Sequence, residues 1–326
     1  MTMTEVKPVN DQPEAAQLNL VVADAVPIAT DVLMLTLTDP DRGDLPEWTP
    51  GSHIDVTVDG LTRQYSLCGD PDDRQTWRIA VLREKDGRGG SRAIHEYARP
   101  GLPVQVRGPR NHFALRQADE YLFIAGGIGI TPLLPMIAAA ETKDVPWRLV
   151  YGARSADRFC FVDRLGTYGG RVTLQPEETT GMLDLKELVT TANAGVAIYA
   201  CGPSGLLDAL GDLCGESGRA LYVERFAADP RTLDEGPETS FEVVAETSGV
   251  AVTVPPGTSI IRALEDAGVE VFTSCEEGVC GTCETRVLAG IPDHRDSVLD
   301  DDERAANEVM MICVSRARTP SITLDI

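Results

Sequence analysis

Cys275-Glu276-Glu277-Gly278-Val279-Cys280-Gly281-Thr282-Cys283, with Cys313 after 29 intervening residues, is the stretch from which the rest of the 326-residue chain can be read. The spacing C-x4-C-x2-C plus one distant cysteine is the plant-type ligand run for a 2Fe-2S cluster. Small residues between the thiols, Gly278, Gly281 and Thr282, leave the backbone free to turn its N–H groups toward sulfur. The bland alternative, a structural zinc site, would more naturally use paired C-x2-C knuckles.

Around this run, Phe241 to Val244 and Val250 to Val254 alternate as strands, Pro255-Pro256-Gly257 turns the chain, and a helix runs from Ser259 through Ile261, Leu264 and Ala267. A hairpin followed by a helix suits a β-grasp domain over 240–326. That block holds 6 basic and 16 acidic side chains. Before it, Ala228 to Thr239 is polar, carries two prolines and has almost no apolar anchor, as a linker at 229–239 should. Farther upstream, apolar strands at Tyr121–Ala125, Trp147–Tyr151, Arg171–Leu174, Val196–Ala200 and Ala220–Val223 alternate with helices starting near Pro132, Asp157, Asp184 and Pro203. This is the pattern of an α/β parallel sheet over 115–228. Residues 1–114 read as an antiparallel β-barrel of six short strands, Leu18–Val22, Val32–Thr38, His53–Val58, Gln64–Leu67, Trp77–Leu82 and Val104–Arg107, with one helix from Ser91 to Tyr97. The predicted architecture is therefore multidomain: barrel, parallel sheet, linker, β-grasp.

Apolar content of 43% and charged content of 25% are those of folded globular proteins. The balance 29 − 51 = −22 repels nucleic acid and anionic membrane surfaces. No apolar stretch is long enough to span a bilayer, and Met1 to Leu20 does not read as an export leader. A cytoplasmic monomer is expected, in which a reducing compartment favours metal or catalytic roles for the eight cysteines over disulfides. Cys160 and Cys214 fit apolar helix patterns as core residues. Cys201 differs, because it ends a strand directly before Gly202-Pro203.

Ala125-Gly126-Gly127-Ile128-Gly129-Ile130-Thr131-Pro132 follows a strand and opens a helix, with Pro132 suited to the first helical position and free N–H groups facing an anion. Pro132 stands where the G-x-G-x-x-G fingerprint has its third glycine, so a standard dinucleotide dehydrogenase is not indicated. Ligands of such sheets sit at the carboxyl ends of the strands, which puts Gly126 to Pro132, Gly152 to Ser155 and Cys201 to Pro203 around one crevice. Arg154, with Arg158 nearby, places a cation there that suits a 2′-phosphate, leaving NADH or NADPH open. On the barrel, Arg63 and Tyr65 alternate onto one face of Arg63-Gln64-Tyr65-Ser66-Leu67, a cation for phosphate and a ring for stacking. Gly87-Arg88-Gly89-Gly90-Ser91-Arg92 leads into a second helix start ready for an anion.

Taken together, these segments with Val223-Glu224-Arg225-Phe226 resemble, over nearly the whole chain, the phthalate dioxygenase reductase and vanillate O-demethylase reductase family of the ferredoxin-NADP reductase superfamily. The resemblance implies that Arg63, Gln64, Tyr65 and Ser66 hold a flavin, Ser66 near its reactive nitrogen, and that Gly90, Ser91 and Arg92 grip the phosphate of FMN. It implies that Phe226 stacks on the flavin, that Gly127, Gly129, Arg154, Gly202 and Pro203 bind NADH, and that Thr131 and Cys201 flank the nicotinamide beside Glu224. Cys275, Cys280, Cys283 and Cys313 would ligate the cluster. The activity implied is that of an oxygenase reductase component: a hydride from NADH is split through FMN into single electrons, which pass through the cluster to a Rieske-type aromatic oxygenase. A haem monooxygenase as acceptor, or a non-enzymatic iron-sulfur redox sensor, are the alternatives. The acidic C-terminal block suggests a basic docking face on the acceptor.

Overall fold

The computed structural model describes residues 16–85, 87, 89–227 and 238–326. Most of the linker expected at 229–239 lies outside the described residues. Glu238, at its end, is held by Arg295 (3.0 Å) and Arg316 (3.7 Å) of the last domain.

The N-terminal sheet is built from β1 (Gln17–Ala29), β2 (Val32–Thr38), β3 (His53–Val58), β4 (Leu61–Ser66), β5 (Trp77–Leu82) and β6 (Pro103–Arg110), with α1 (Gly90–Tyr97) before β6. Its order, β4-β3-β6-β1-β2-β5, is antiparallel throughout, and the alternating apolar side chains Leu20, Val22, Leu35, Leu37, Ile54, Val56 and Ile79 fill the interior. Just beyond the end of β4 the chain bridges to β5 through Cys68 N–H and the Arg78 carbonyl at 2.9 Å, which draws the open sheet into a half-barrel.

The second unit comprises β7 (Tyr121–Gly126), α2 (Ile130–Thr142), β8 (Trp147–Ala153), α3 (Val162–Gly166), β9 (Val172–Pro176), α4 (Glu177–Thr180), α5 (Leu185–Thr191), β10 (Ala197–Cys201), α6 (Ser204–Ser217) and β11 (Leu221–Glu224). The sheet is parallel in the order β11-β10-β7-β8-β9, so the winding reverses between β7 and β10 and opens a crevice at their carboxyl ends.

Details of the crossovers differ from the sequence reading. The first helix does not begin at Pro132. A 3-10 turn over Gly127–Gly129 precedes α2, and Pro132 sits at the third helical position, where its missing N–H is still among the unpaired first-turn groups. No continuous helix starts at Asp157 either: a 3-10 turn (Ala156–Arg158) and the five-residue α3 take its place, because Phe161 at φ 60 and the glycines 166, 169 and 170 interrupt it. Cys160 accordingly lies in this connection and not on a helix, although it is buried. Asp184 does cap α5, accepting from Glu187 N–H at 2.8 Å.

The third unit contains β12 (Phe241–Ala245), β13 (Val250–Val254), α7 (Ile260–Asp266), β14 (Glu284–Ala289), β15 (Pro292–Asp293), α8 (Asp301–Ala306), β16 (Val309–Met311), β17 (Arg316–Ala317) and β18 (Ser321–Leu324). The main sheet runs β13-β12-β18-β14-β16, with β12 and β18 parallel, and grasps α7 through Ile260, Ile261 and Leu264. Ser259 caps α7 by accepting from Arg262 N–H. Among the described residues no helix is long and apolar enough to cross a membrane.

Candidate active site and cluster site

The crevice at the ends of β7 and β10 is a cavity of about 700 Å³, within the size range of cofactor sites. Gly127, Ile128, Arg154, Pro203 and Leu206 line it from the parallel sheet, and Thr30, Val32, Leu82 and Lys85 from the barrel. Backbone packs on backbone at its floor. A Cβ on Gly129 would lie 2.2 Å from the Cys201 carbonyl oxygen, and one on Gly126 would lie 2.6 Å from Pro203 Cδ. These glycines are therefore required by contact between the two strand ends. Cys201 and Thr131 sit beneath the floor, fully buried; the Thr131 hydroxyl donates to the Ile128 carbonyl at 3.0 Å. Gly202 packs against Gly126. Of the two arginines, Arg158 is tied to Asp31 (3.3 Å), while Arg154 lines the cavity together with Gln175 and Glu177.

A second constellation joins the barrel to the end of β11. Ser66 Oγ donates to Glu224 Oε2 at 3.0 Å. Glu224 pairs with Cys201 in the sheet register, so the three residues Ser66, Cys201 and Glu224 converge where barrel meets parallel sheet. Burial pushes the Glu224 carboxyl up to about 8 against a smaller opposing effect of the Ser66 hydrogen bond, and it pushes the Cys201 thiol up as well, with Glu224's charge adding to it. Glu224 is thus a neutral acid near pH 7. Because its pKa in the folded chain lies above the unfolded value, the stability it contributes is complete below about 4.5 and is lost as pH rises through about 8. The expected outcome is that Glu224→Gln gains stability relative to the parent between pH 6 and pH 8, on the order of 1.4 kcal/mol per pH unit crossed, seen as a widening difference in melting temperature that levels off above pH 8. Parallel melting curves for the two proteins across that range would contradict it.

Arg63 lies over the start of α1, where a Cβ on Gly90 would come within 2.5 Å of Arg63 Cγ. Gly89 precedes the helix at φ +93 with no side-chain cap, so the first N–H groups of this eight-residue helix meet no capping side chain. Tyr65 packs on the barrel core with its hydroxyl buried and without a partner among the described residues. An uncapped helix start beside an arginine and an orphaned phenol fit a phosphate-bearing aromatic cofactor. Ser91 accepts from Glu84 N–H at 3.1 Å, Arg92 is near Gly89, and Phe226 is half-exposed beyond β11. Gln64 takes the other face of β4 and is paired with Asp55 in the ladder.

In the third unit Cys275, Cys280, Cys283 and Cys313 are all buried. Their thiols meet pairwise, Cys275 with Cys280 and Cys283 with Cys313, and Cys275 also reaches Cys313. Two adjoining thiol pairs fit a two-iron group better than a lone zinc. Backbone N–H groups of Glu277 and Thr282 point at Cys275 and Cys280 sulfur at 3.3 and 3.5 Å, and Gly278 and Gly281 adopt φ +69 and +70 to allow it.

Sequence reasoning missed the junction between these sites. His53 of β3 is buried, its pKa driven far below the ordinary value by burial and then by Arg110's charge. It lies 3.9 Å from Glu224 and stacks on His112 at 5.7 Å between centroids. The His112 ring in turn occupies the space where a Cβ on Gly281 would sit. The signal available was two ionisable residues, His53 and Asp55, two positions apart on one face of the short strand His53–Val58.

Residues 243–318 match the 2Fe-2S iron-sulfur cluster binding domain family. The chain is 44% identical over 302 residues to the phenoxybenzoate dioxygenase subunit beta of Ectopseudomonas oleovorans, covering 91% of this chain and 94% of that one. It superposes on phthalate dioxygenase reductase, described as a modular structure for electron transfer from pyridine nucleotides to [2Fe-2S]. The TM-score is 0.68 and the identity 35%, over 95% of this chain and 98% of that one. The chain belongs to the phthalate dioxygenase reductase family. Within that family the half-barrel, the parallel sheet and the C-terminal ferredoxin domain follow one another as they do here. A self-sufficient type IV cytochrome P450 monooxygenase also matches, with a TM-score of 0.89 and 41% identity over 95% of this chain; the chain spans only 41% of that longer protein.

Proposed function

We propose that the chain is the reductase component of a multicomponent oxygenase, taking a hydride from NADH onto FMN and delivering single electrons through a 2Fe-2S cluster to a Rieske-type aromatic oxygenase. The observation that carries it is one continuous junction: the Ser66–Glu224 pair lies beside His53, which stacks on His112, which touches the cluster loop at Gly281. Bound FMN would supply conversion between two-electron and one-electron chemistry. The chain's own residues do the rest. Arg63, Gly90, Ser91 and Arg92 bind its phosphate end, Tyr65 and Phe226 its ring, and Ser66 with neutral Glu224 keeps a proton at the reacting edge. Gly127, Gly129, Arg154, Gly202 and Pro203 seat the dinucleotide, and Thr131 and Cys201 back the nicotinamide. The four paired thiols hold the cluster. Domains are assigned to 1–114, 115–228 and 240–326, with 229–239 joining the last two.

NADH is favoured because Asp31 engages Arg158 and Glu177 lines the cavity beside Arg154, so a 2′-phosphate there would meet carboxylates as well as cations. The acceptor is assigned a basic face. A cleft of about 640 Å³ between His112, Arg116 and Tyr222 and the ferredoxin domain is lined by Glu284, Asp300, Glu303 and Glu308, and the domain's balance is 6 basic against 16 acidic. The rate of electron delivery to the cognate oxygenase at limiting concentration is expected to fall severalfold from low to physiological salt. A salt-independent rate removes the basic-face assignment. A second reading, delivery to a haem monooxygenase, draws on the likeness to the cytochrome P450 fusion. Stopped-flow reduction of one purified acceptor of each class separates the two, and the oxygenase reading requires its acceptor to be the faster. A cytoplasmic location follows from the role.

A further inference from the structure

The cluster loop is gripped from outside its own domain by side chains that the hydride path does not use. On the barrel, buried Asp55 accepts from Arg110 Nη2 at 2.7 Å through Oδ2 and from Ser274 Oγ at 3.0 Å through Oδ1. The same Arg110 nitrogen donates to Thr282 Oγ1 at 2.9 Å. Ser274 directly precedes Cys275, and Thr282 directly precedes Cys283. The Cys280 thiol donates to Thr282 Oγ1 at 3.1 Å, and the Thr282 hydroxyl lies 3.4 Å from Asp55 Oδ2. Arg110 keeps Nε and Nη1 buried with no partner among the described residues, so fold stability alone is a poor reason for burying this guanidinium.

As a metal ligand the Cys280 sulfur has no proton and can only accept, which makes the Thr282 hydroxyl its donor. That hydroxyl has two acceptors in reach, the sulfur and Asp55. Arg110 occupies a lone pair of the hydroxyl oxygen and, together with Ser274, already supplies Asp55 with donors. The nearer sulfur is left for the hydroxyl proton. Donors on a cluster sulfur favour its more negative, reduced form.

We propose that Asp55 and Arg110 are positioning residues for the cluster: from the barrel domain they aim the Thr282 hydroxyl at Cys280 Sγ and so raise the cluster's affinity for an electron. This rests on the four thiols holding a 2Fe-2S cluster. The test is redox potentiometry followed by EPR on the full-length holoprotein, comparing the parent with Thr282→Val, Arg110→Met and the double variant. At the parent's midpoint each single variant is expected to show about tenfold less reduced relative to oxidised cluster, ~59 mV for a one-electron couple. The double variant is expected to shift by much less than the two combined, and Thr282→Ser is expected to behave as the parent. Additive shifts, or no shift with Arg110→Met, overturn the proposal. Should Arg110→Met fail to hold a cluster because Asp55 is left as a lone buried charge, Asp55→Asn with Arg110→Gln replaces it in the cycle with the same expected sign. A parent protein without an iron-sulfur signal overturns the cluster reading itself, and this proposal with it.

Discussion

Replacing Cys283 with serine is expected to lower NADH-driven reduction of a protein acceptor by more than about 100-fold, beyond what loss of an outer-shell partner of a metal ligand costs. Cys283 is buried, meets Cys313, and is packed with Leu299, Met310 and Ile312 in the ferredoxin core. A serine there gives a poorer ligand for iron and leaves a hydroxyl in an apolar setting. NADH oxidation by ferricyanide, a small acceptor that needs no docking face, should persist, because every residue assigned to flavin and dinucleotide lies in the first two domains. A parallel assay of the two acceptors decides the matter. Equal loss of both activities, or loss of neither, would mean that the thiols are not the second stage of one electron path.

Gly129→Ala is the second large effect. The added carbon would stand 2.2 Å from the Cys201 carbonyl oxygen and 2.7 Å from Gly202 nitrogen, both backbone atoms of the facing strand end. Neither is a flexible tip that can swing away, so β10 and the 3-10 turn must separate, at a cost of about 1–3 kcal/mol or more. The same displacement widens the crevice proposed to seat the nicotinamide. A rise in KM for NADH of tenfold or more is therefore expected with a lowered melting temperature, while flavin and iron content stay at parent levels. Gly211→Ala on the exposed face of α6 has open space around it and serves as the control: it should stabilise by about 0.5–1 kcal/mol without touching KM. An unchanged KM in the Gly129 variant would place the dinucleotide elsewhere.

The parts legible in the sequence are those where local chemistry dictates local structure. The strands Val32–Thr38, His53–Val58 and Trp77–Leu82 end where their alternating patterns end, and Asp184 and Ser259 announce α5 and α7 as caps. The cysteine spacing reads directly because three of the four thiols fall within nine residues. The crossover after β8 was not legible, since a short 3-10 turn and a positive-φ phenylalanine leave no periodicity to detect. Nor was the junction. Asp55 and Ser274 are 219 positions apart, and Ser66 and Glu224 are 158 apart, so only tertiary packing brings them together. An isolated His or Asp on a strand reads as an ordinary half-exposed residue until the domain that covers it is known.

Electron flow from NADH through flavin to the cluster is tested by flavin, iron and acid-labile sulfide analysis of the anaerobically purified full chain, combined with EPR after addition of NADH. One FMN with two irons and two sulfides per chain is expected, together with a reduced-cluster signal that NADH alone generates. A protein that binds zinc at these thiols, or that carries flavin and cluster but shows no cluster signal with NADH, would contradict it.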